Sequence, residues 1–501
     1  MKSFAGVCLL ICGLLITTTI GESAVKGNNP VLLPVKNDPT YCFRIWFKVG
    51  SQNDPAGMEG LANLTAQMIV DASTQKHKYE QIIDLLYPLA ASYEATVSAE
   101  MSVVYGRVHR DNLNDYYPLL LEAILSPAFL QEDLDRIKSN TLNYLQNTLR
   151  FSSDEELGKA VLYTDIFSGT PYGHIAEGTV EGLNRITLDD VKKFYAAHYT
   201  RDNVVIGLAG GFDEALVGRL RADLMRLPAG KPRSVPAPVP AALKGFKVTL
   251  VEKDAPATAI SMGFPLDVVR GTTDWYALAI ANSWFGEHRN SSSHLYQVIR
   301  ETRGLNYGDY SYIENFPQGG MRSHPPQNVC RRKQIFEIWI RPVPREAGHF
   351  ALRAALRELK HLVEHGLTKD EFDLTRNFLR KYILHFAPTT MERLGYAMDD
   401  RFYGISRGHL TTFRTMLGKL TRADVNAAIK RHLQFGNMQI AIVTGEAAAM
   451  GEELLRDAPT PITYKSPKPD NVVAEDREIS VFPVKVAAEN LRIVPVAEVF
   501  K

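Results

Sequence analysis

The sequence predicts two tandem, homologous α+β domains, each a mixed β-sheet covered by helices, and two observations carry that prediction. The first is a long internal repeat. Ile186-Thr187-Leu188-Asp189-Asp190-Val191 matches Leu420-Thr421-Arg422-Ala423-Asp424-Val425 at an offset of 234 residues (186 to 420). The register holds onward, from His198 to His432, Asn203 to Asn437, Ile206 to Ile440 and Gly211 to Gly445. A period this long marks duplicated domains, not a solenoid of short repeats. The second is punctuation: Pro228, Pro232, Pro236, Pro238 and Pro240 crowd one stretch near the middle of the chain. Such a segment is extended and joins neither a helix nor a central strand.

Composition sets the outer limits. At 501 residues the chain suits two to four domains, and 45% hydrophobic with 23% charged residues supports packed cores. Lys+Arg 57 against Asp+Glu 56 leaves a formal charge of +1, so nucleic-acid binding has no electrostatic footing. Four cysteines exclude a disulfide scaffold and an all-cysteine zinc site.

Taken in order, residues 1–21 read as a secretory signal, with Lys2 ahead of an apolar run from Phe4 to Ile20 and a cut before Glu22. The rival is a retained membrane anchor, because the run approaches spanning length. Removal of the signal leaves Cys42 and Cys330, expected as buried free thiols. The N-terminal domain spans 35–227. It starts on a strand-like run, Tyr41 to Val49, and ends on a helix with Thr187 as N-cap followed by an apolar strand. A proline-rich linker covers 228–246. The C-terminal domain, 247–458, repeats the plan from a strand-like run at Lys247 to Phe264. A proline-rich extension, 459–501, follows; its alternating Val and Ile suit one edge strand. Strands and helices interleave without regular βαβ units, which favours α+β.

Several segments, in order, resemble the pitrilysin/insulinase family of inverted zincins. They are Gly50-Ser51-Gln52-Asn53-Asp54; Gly60-Leu61-Ala62-Asn63-Leu64-Thr65-Ala66-Gln67-Met68; Pro171-Tyr172-Gly173; Ile299-Arg300-Glu301-Thr302-Arg303-Gly304-Leu305-Asn306-Tyr307; and His365-Gly366-Leu367-Thr368. The resemblance covers roughly residues 35 to 460. It implies that the two domains form half of a clam-like chamber.

The departures from the family pattern decide the chemistry. Active members carry H-x-x-E-H on the helix after Gly-Leu-Ala: two histidines one turn apart bind zinc, and the glutamate activates its water. Those places hold Asn63, Ala66 and Gln67, and the third ligand, a downstream glutamate, falls at Tyr144. Amides are poor substitutes for imidazole, and alanine takes no proton. The chain is therefore expected to hold no zinc.

His361-Leu362-Val363-Glu364-His365 does satisfy H-x-x-E-H. Leu352, Ala355, Leu356, Leu359, Leu362 and Val363 form the apolar stripe of that helix, which leaves His361, Glu364 and His365 on its polar side. Gly366 ends the helix, and Thr368 with Glu371 caps the next. The expectation is a solvated helix end.

In the family, an Arg and a Tyr with six residues between them reach from the second domain to the zinc site; Arg300 and Tyr307 match that spacing. A guanidinium grips a peptide by forked hydrogen bonds, and a phenol donates to a tetrahedral oxyanion. Some bacterial relatives divide the enzyme between two chains, one with the zinc motif and one with the Arg/Tyr pair. The resemblance thus implies a periplasmic non-catalytic subunit of a heterodimeric zinc metallopeptidase. Its partner is a homologous chain carrying H-x-x-E-H and zinc, and its substrates are peptides. The alternative is a zinc-free scaffold or peptide-binding protein of the cell envelope with no role in hydrolysis.

Overall fold

A computed structural model describes residues 28–501; the expected signal at 1–21 lies outside them. Among the described residues no helix is long and apolar enough to cross a membrane.

Among the described residues, eleven strands build two sheets. The first contains β1 (Val31–Pro34), β2 (Thr40–Phe47), β3 (Ser92–Val97), β4 (Ser102–His109) and β5 (Val204–Gly210), in the order β1-β5-β2-β4-β3. The second contains β6 (Phe246–Glu252), β7 (Ala257–Leu266), β8 (Asp309–Tyr312), β9 (Gln334–Pro344), β10 (Met438–Thr444) and β11 (Val486–Pro495), in the order β11-β6-β10-β7-β9-β8. With β11 set aside, the second order is the first with each strand replaced by its duplicate. Both sheets are mixed: β1 runs parallel to β5 and β6 to β10, and the remaining pairs of the two duplicated sets are antiparallel.

The repeated unit lines up residue for residue. Helix Leu188–His198 with β5 and helix Arg422–His432 with β10 start and stop 234 residues apart. Thr187 with Asp190, and Thr421 with Asp424, each close a capping box that satisfies the free N–H groups of the first turn.

Every residue of β5 and β10 is buried, so both faces of each sheet are covered. One face is covered by helices of its own half, and the other by a helix exchanged from the opposite half. Helix Asp154–Ile166 packs on β7, β9 and β10, while helix Thr390–Tyr403 packs on β1, β2 and β5. Leu157, Val161 and Leu162 meet Val251, Ala441 and Val443 in one seam; Met398 and Phe402 meet Trp46, Val103 and Val205 in the other. Each such side chain, fully buried, contributes roughly 1.5–3 kcal/mol, so the halves are held as one body.

Three details differ from the sequence reading. The first sheet starts before residue 35, at β1, a strand too short and too close to Pro30 and Pro34 to show alternation. The run Lys247 to Phe264 is two strands, because the chain turns at 253–256, where Pro256 offers no N–H. The segment 459–501 is more than an edge strand: after its prolines it forms helix Asp470–Ser480 before β11 pairs parallel with β6. Cys42 and Cys330 are buried free thiols.

Candidate functional site

Helix Leu61–Val70 is positioned by its N-terminus. Gly60, at φ 105°, enters the left-handed region, and a Cβ there would lie 2.8 Å from the Glu177 carbonyl oxygen. Asp54 caps the helix from outside: its carboxylate accepts from the backbone N–H of Gly60 at 2.8 Å and of Ala62 at 2.7 Å. Leu61, Leu64 and Met68 anchor the helix in the first core. Asn63 and Gln67, one turn apart, are left half-buried on a common face, with Ala66 buried between them.

Tyr144 opens a π-helical segment, Tyr144–Ser152, and is half-buried on the wall of a cleft between the two halves. Burial, reinforced by Glu177 and Glu156, raises its phenol above the ordinary value, so it stays neutral. Two amides, a methyl and a neutral phenol do not suit zinc, which takes imidazole, thiolate or carboxylate. Among the described residues, no group of three or more His, Cys, Asp or Glu side chains is gathered to hold a metal ion.

The H-x-x-E-H of the second half ends helix Gly348–His365. His361, Glu364 and His365 are exposed, and the two imidazoles stack with centroids 4.5 Å apart. His365 Nδ1 lies 3.1 Å from the His361 carbonyl oxygen, and Glu364 pairs with Lys360. Gly366 stops the helix at φ 68°, and Thr368 with Glu371 caps the next. Each would-be ligand has a local occupation.

Arg300 also lies in a π-helical segment, Tyr296–Glu301. Its Nη1 donates to Glu301 Oε1 at 2.6 Å, and the guanidinium sits 5.5 Å from the Tyr296 ring centroid. Tyr307 follows on a turn framed by Gly304 (φ 71°) and Gly308 (φ 149°). Its side chain is 78% exposed, and no hydrogen bond joins it to another described residue. The structure does not bring this pair to Tyr144: the cleft that Tyr144 lines includes neither Arg300 nor Tyr307.

That cleft, about 960 Å³ with its open mouth, contains titratable groups that the sequence reading did not single out. Lys159 and Glu156 come from helix Asp154–Ile166, Glu177 from the loop beside Gly60, and Arg331 and Glu337 from the second half. One signal was visible: Glu337 is the lone charge in Ile335-Phe336-Glu337-Ile338-Trp339-Ile340. Nothing local reveals that Lys159 packs against that strand.

Comparison with known proteins agrees with the fold. The sequence model of the insulinase family (peptidase family M16) matches residues 31–179, and that of the peptidase M16 inactive domain matches 185–379. An uncharacterized zinc protease of Streptomyces coelicolor is 25% identical over 340 residues, 66% of this chain and 68% of its own. The non-peptidase homolog YmxG of Helicobacter pylori is 24% identical over 414 residues, 80% of this chain and 88% of its own. The crystal structure of a peptidase M16 inactive domain from Pseudomonas fluorescens superposes with a TM-score of 0.71 at 23% identity, covering 82% of this chain and 94% of that one. With the duplicated sheets, the ordered motifs and both family models in agreement, the chain belongs to the insulinase family, peptidase family M16.

Proposed function

We propose that this chain is inactive alone and serves as the zinc-free subunit of a two-chain peptidase of the periplasm. Arg300 and Tyr307 bind a peptide and polarise it for hydrolysis at a homologous partner that carries H-x-x-E-H and zinc. The observation that carries the reading is Tyr307: a phenol 78% exposed on a glycine-framed turn, with no hydrogen bond to another described residue, seven positions after Arg300. Aromatic side chains ordinarily bury most of their surface, so a free hydroxyl there is available to a second molecule. Arg300 complements it, because a guanidinium donates in a fork to carbonyl or carboxylate oxygens. The loss of imidazole and carboxylate at residues 63, 66, 67 and 144 supports a division of labour. The name of the non-peptidase relative in Helicobacter pylori points the same way.

The test is a tagged pull-down from the native cell envelope, followed by reconstitution. A similar-sized partner with H-x-x-E-H, and peptide hydrolysis only when the two chains are mixed, is the expected result. Recovery of this chain without such a partner assigns it to the scaffold class.

A further inference from the structure

The cleft between the halves is unbalanced in charge. Glu337 projects from β9, where its neighbours across the sheet are Gly263 and Tyr312. The residue is 8% exposed, it lines the cleft, and its Oε1 has no hydrogen-bond partner. A buried carboxylate oxygen left without a hydrogen bond is costly, and in a native structure it calls for an explanation.

The cations around it are already engaged. Lys159 Nζ donates to Glu156 Oε1 at 2.9 Å, to Glu156 Oε2 at 2.8 Å and to the Phe316 carbonyl oxygen at 3.1 Å, and it lies 3.4 Å from the Trp339 ring centroid. Arg331 Nε donates to Gln334 Oε1 at 2.9 Å, with its guanidinium 5.3 Å from the Tyr163 ring centroid. On the facing wall Glu177 has neither an ion pair nor a side-chain hydrogen bond to another described residue. Three carboxylates, Glu156, Glu177 and Glu337, thus face two cations, Lys159 and Arg331. Tyr144 and Phe316 add aromatic surface, which attracts cations through its π-face.

We propose that this cleft is a binding site for an organic cation, an alkylammonium or guanidinium group, with Glu337 and Glu177 as its carboxylate partners and Tyr144 as an aromatic wall. The group arrives on a Lys or Arg side chain of an extended peptide or as a small free amine. The site is independent of Arg300 and Tyr307, which lie outside it. Burial pushes the Glu337 carboxyl up to about 7, with Lys159, the Trp339 indole N–H and Arg331 acting against that rise; burial likewise raises Glu177. An incoming cation favours the ionised form of both.

The test uses the full chain without any partner at pH 8 and compares a fluorescent pentapeptide with a central arginine against the same peptide with citrulline. Charge-assisted hydrogen bonding to a buried carboxylate predicts that the arginine peptide binds roughly tenfold tighter or more. Glu337→Gln brings it to the citrulline level, and Glu177→Gln weakens it in the same direction. Displacement by 1,4-diaminobutane identifies a free amine as a sufficient ligand; binding that resists it identifies the peptide-borne group. Equal binding of the two peptides to the wild-type chain overturns the proposal whatever the variants do. So does a preference unchanged in a natively melting Glu337→Gln. Either failure leaves the two-chain reading intact, because no partner takes part.

Discussion

Arg332 Nε donates to Glu100 Oε2 at 2.7 Å across the junction between the two halves. The backbone N–H of Arg332 reaches Glu100 Oε1 at 2.7 Å, and the Tyr172 hydroxyl donates to the same oxygen. One buried carboxylate therefore ties β9's lead-in to the first domain. Glu100→Ala strands the proton of a buried tyrosine hydroxyl and leaves the Arg332 N–H only the Tyr172 oxygen at 3.3 Å, and it should destabilise the chain by roughly 2–4 kcal/mol. The shift in urea midpoint at constant slope measures it; a change under about 0.5 kcal/mol would show that water replaces the carboxylate.

Tyr307→Phe removes one hydroxyl from an exposed turn. The fold and the assembly with a partner should be unaffected. Turnover of the assembled pair should fall by roughly 10²–10³, the cost of one lost oxyanion donor. Unchanged turnover removes Tyr307 from the mechanism.

The two H-x-x-E-H-related positions lead to a simple metal experiment. The purified chain should carry no stoichiometric zinc by atomic emission, and His361→Ala should leave the content unchanged. About one zinc per chain, lost in His361→Ala, would make the helix end at His365 a metal site after all.

Acid should weaken the second domain through His349. Arg353 Nε donates to His349 Nε2 at 3.1 Å, so that nitrogen must be unprotonated. Burial, aided by Arg353 and opposed by Asp457, holds the imidazole at about 4, below its ordinary 6.5. The unfolded chain binds the proton first. The stabilising contribution is therefore complete above pH 6.5 and is lost as pH falls toward 4, up to on the order of 3 kcal/mol. Glu453, 3.6 Å from Nδ1, is half-exposed and offsets little of this. Urea midpoints at pH 7 and pH 4.5 should differ less for His349→Gln than for the wild type.

What the sequence discloses is local. The Thr187 and Thr421 capping boxes, the strands β5 and β10 and the duplicated order of the halves follow from short-range patterns and one repeat. The solvated end at His365 follows from the stripe of its own helix. The exchange of helices Asp154–Ile166 and Thr390–Tyr403 is not legible, because an apolar helix face does not specify which sheet will cover it. The cleft is hidden for the same reason. Lys159 and Glu337 are far apart in the chain, and only packing of that helix against β9 makes them neighbours. The π-helical segments at Tyr144 and Arg300 are not legible either, since each is too short to establish a hydrophobic period of its own.

The exchanged helices also govern how the protein is made. When β5 is complete at Gly210, the face of the first sheet bearing Trp46, Val103 and Val205 still waits for Met398 and Phe402. At 5–20 residues per second the ribosome needs roughly ten to forty seconds to reach residue 403. For that interval a finished-looking first half presents a bare apolar surface, an invitation to a holding chaperone or to aggregation. Splitting the gene at the proline-rich linker would make that exposure permanent, since each product would lack the other's covering helix.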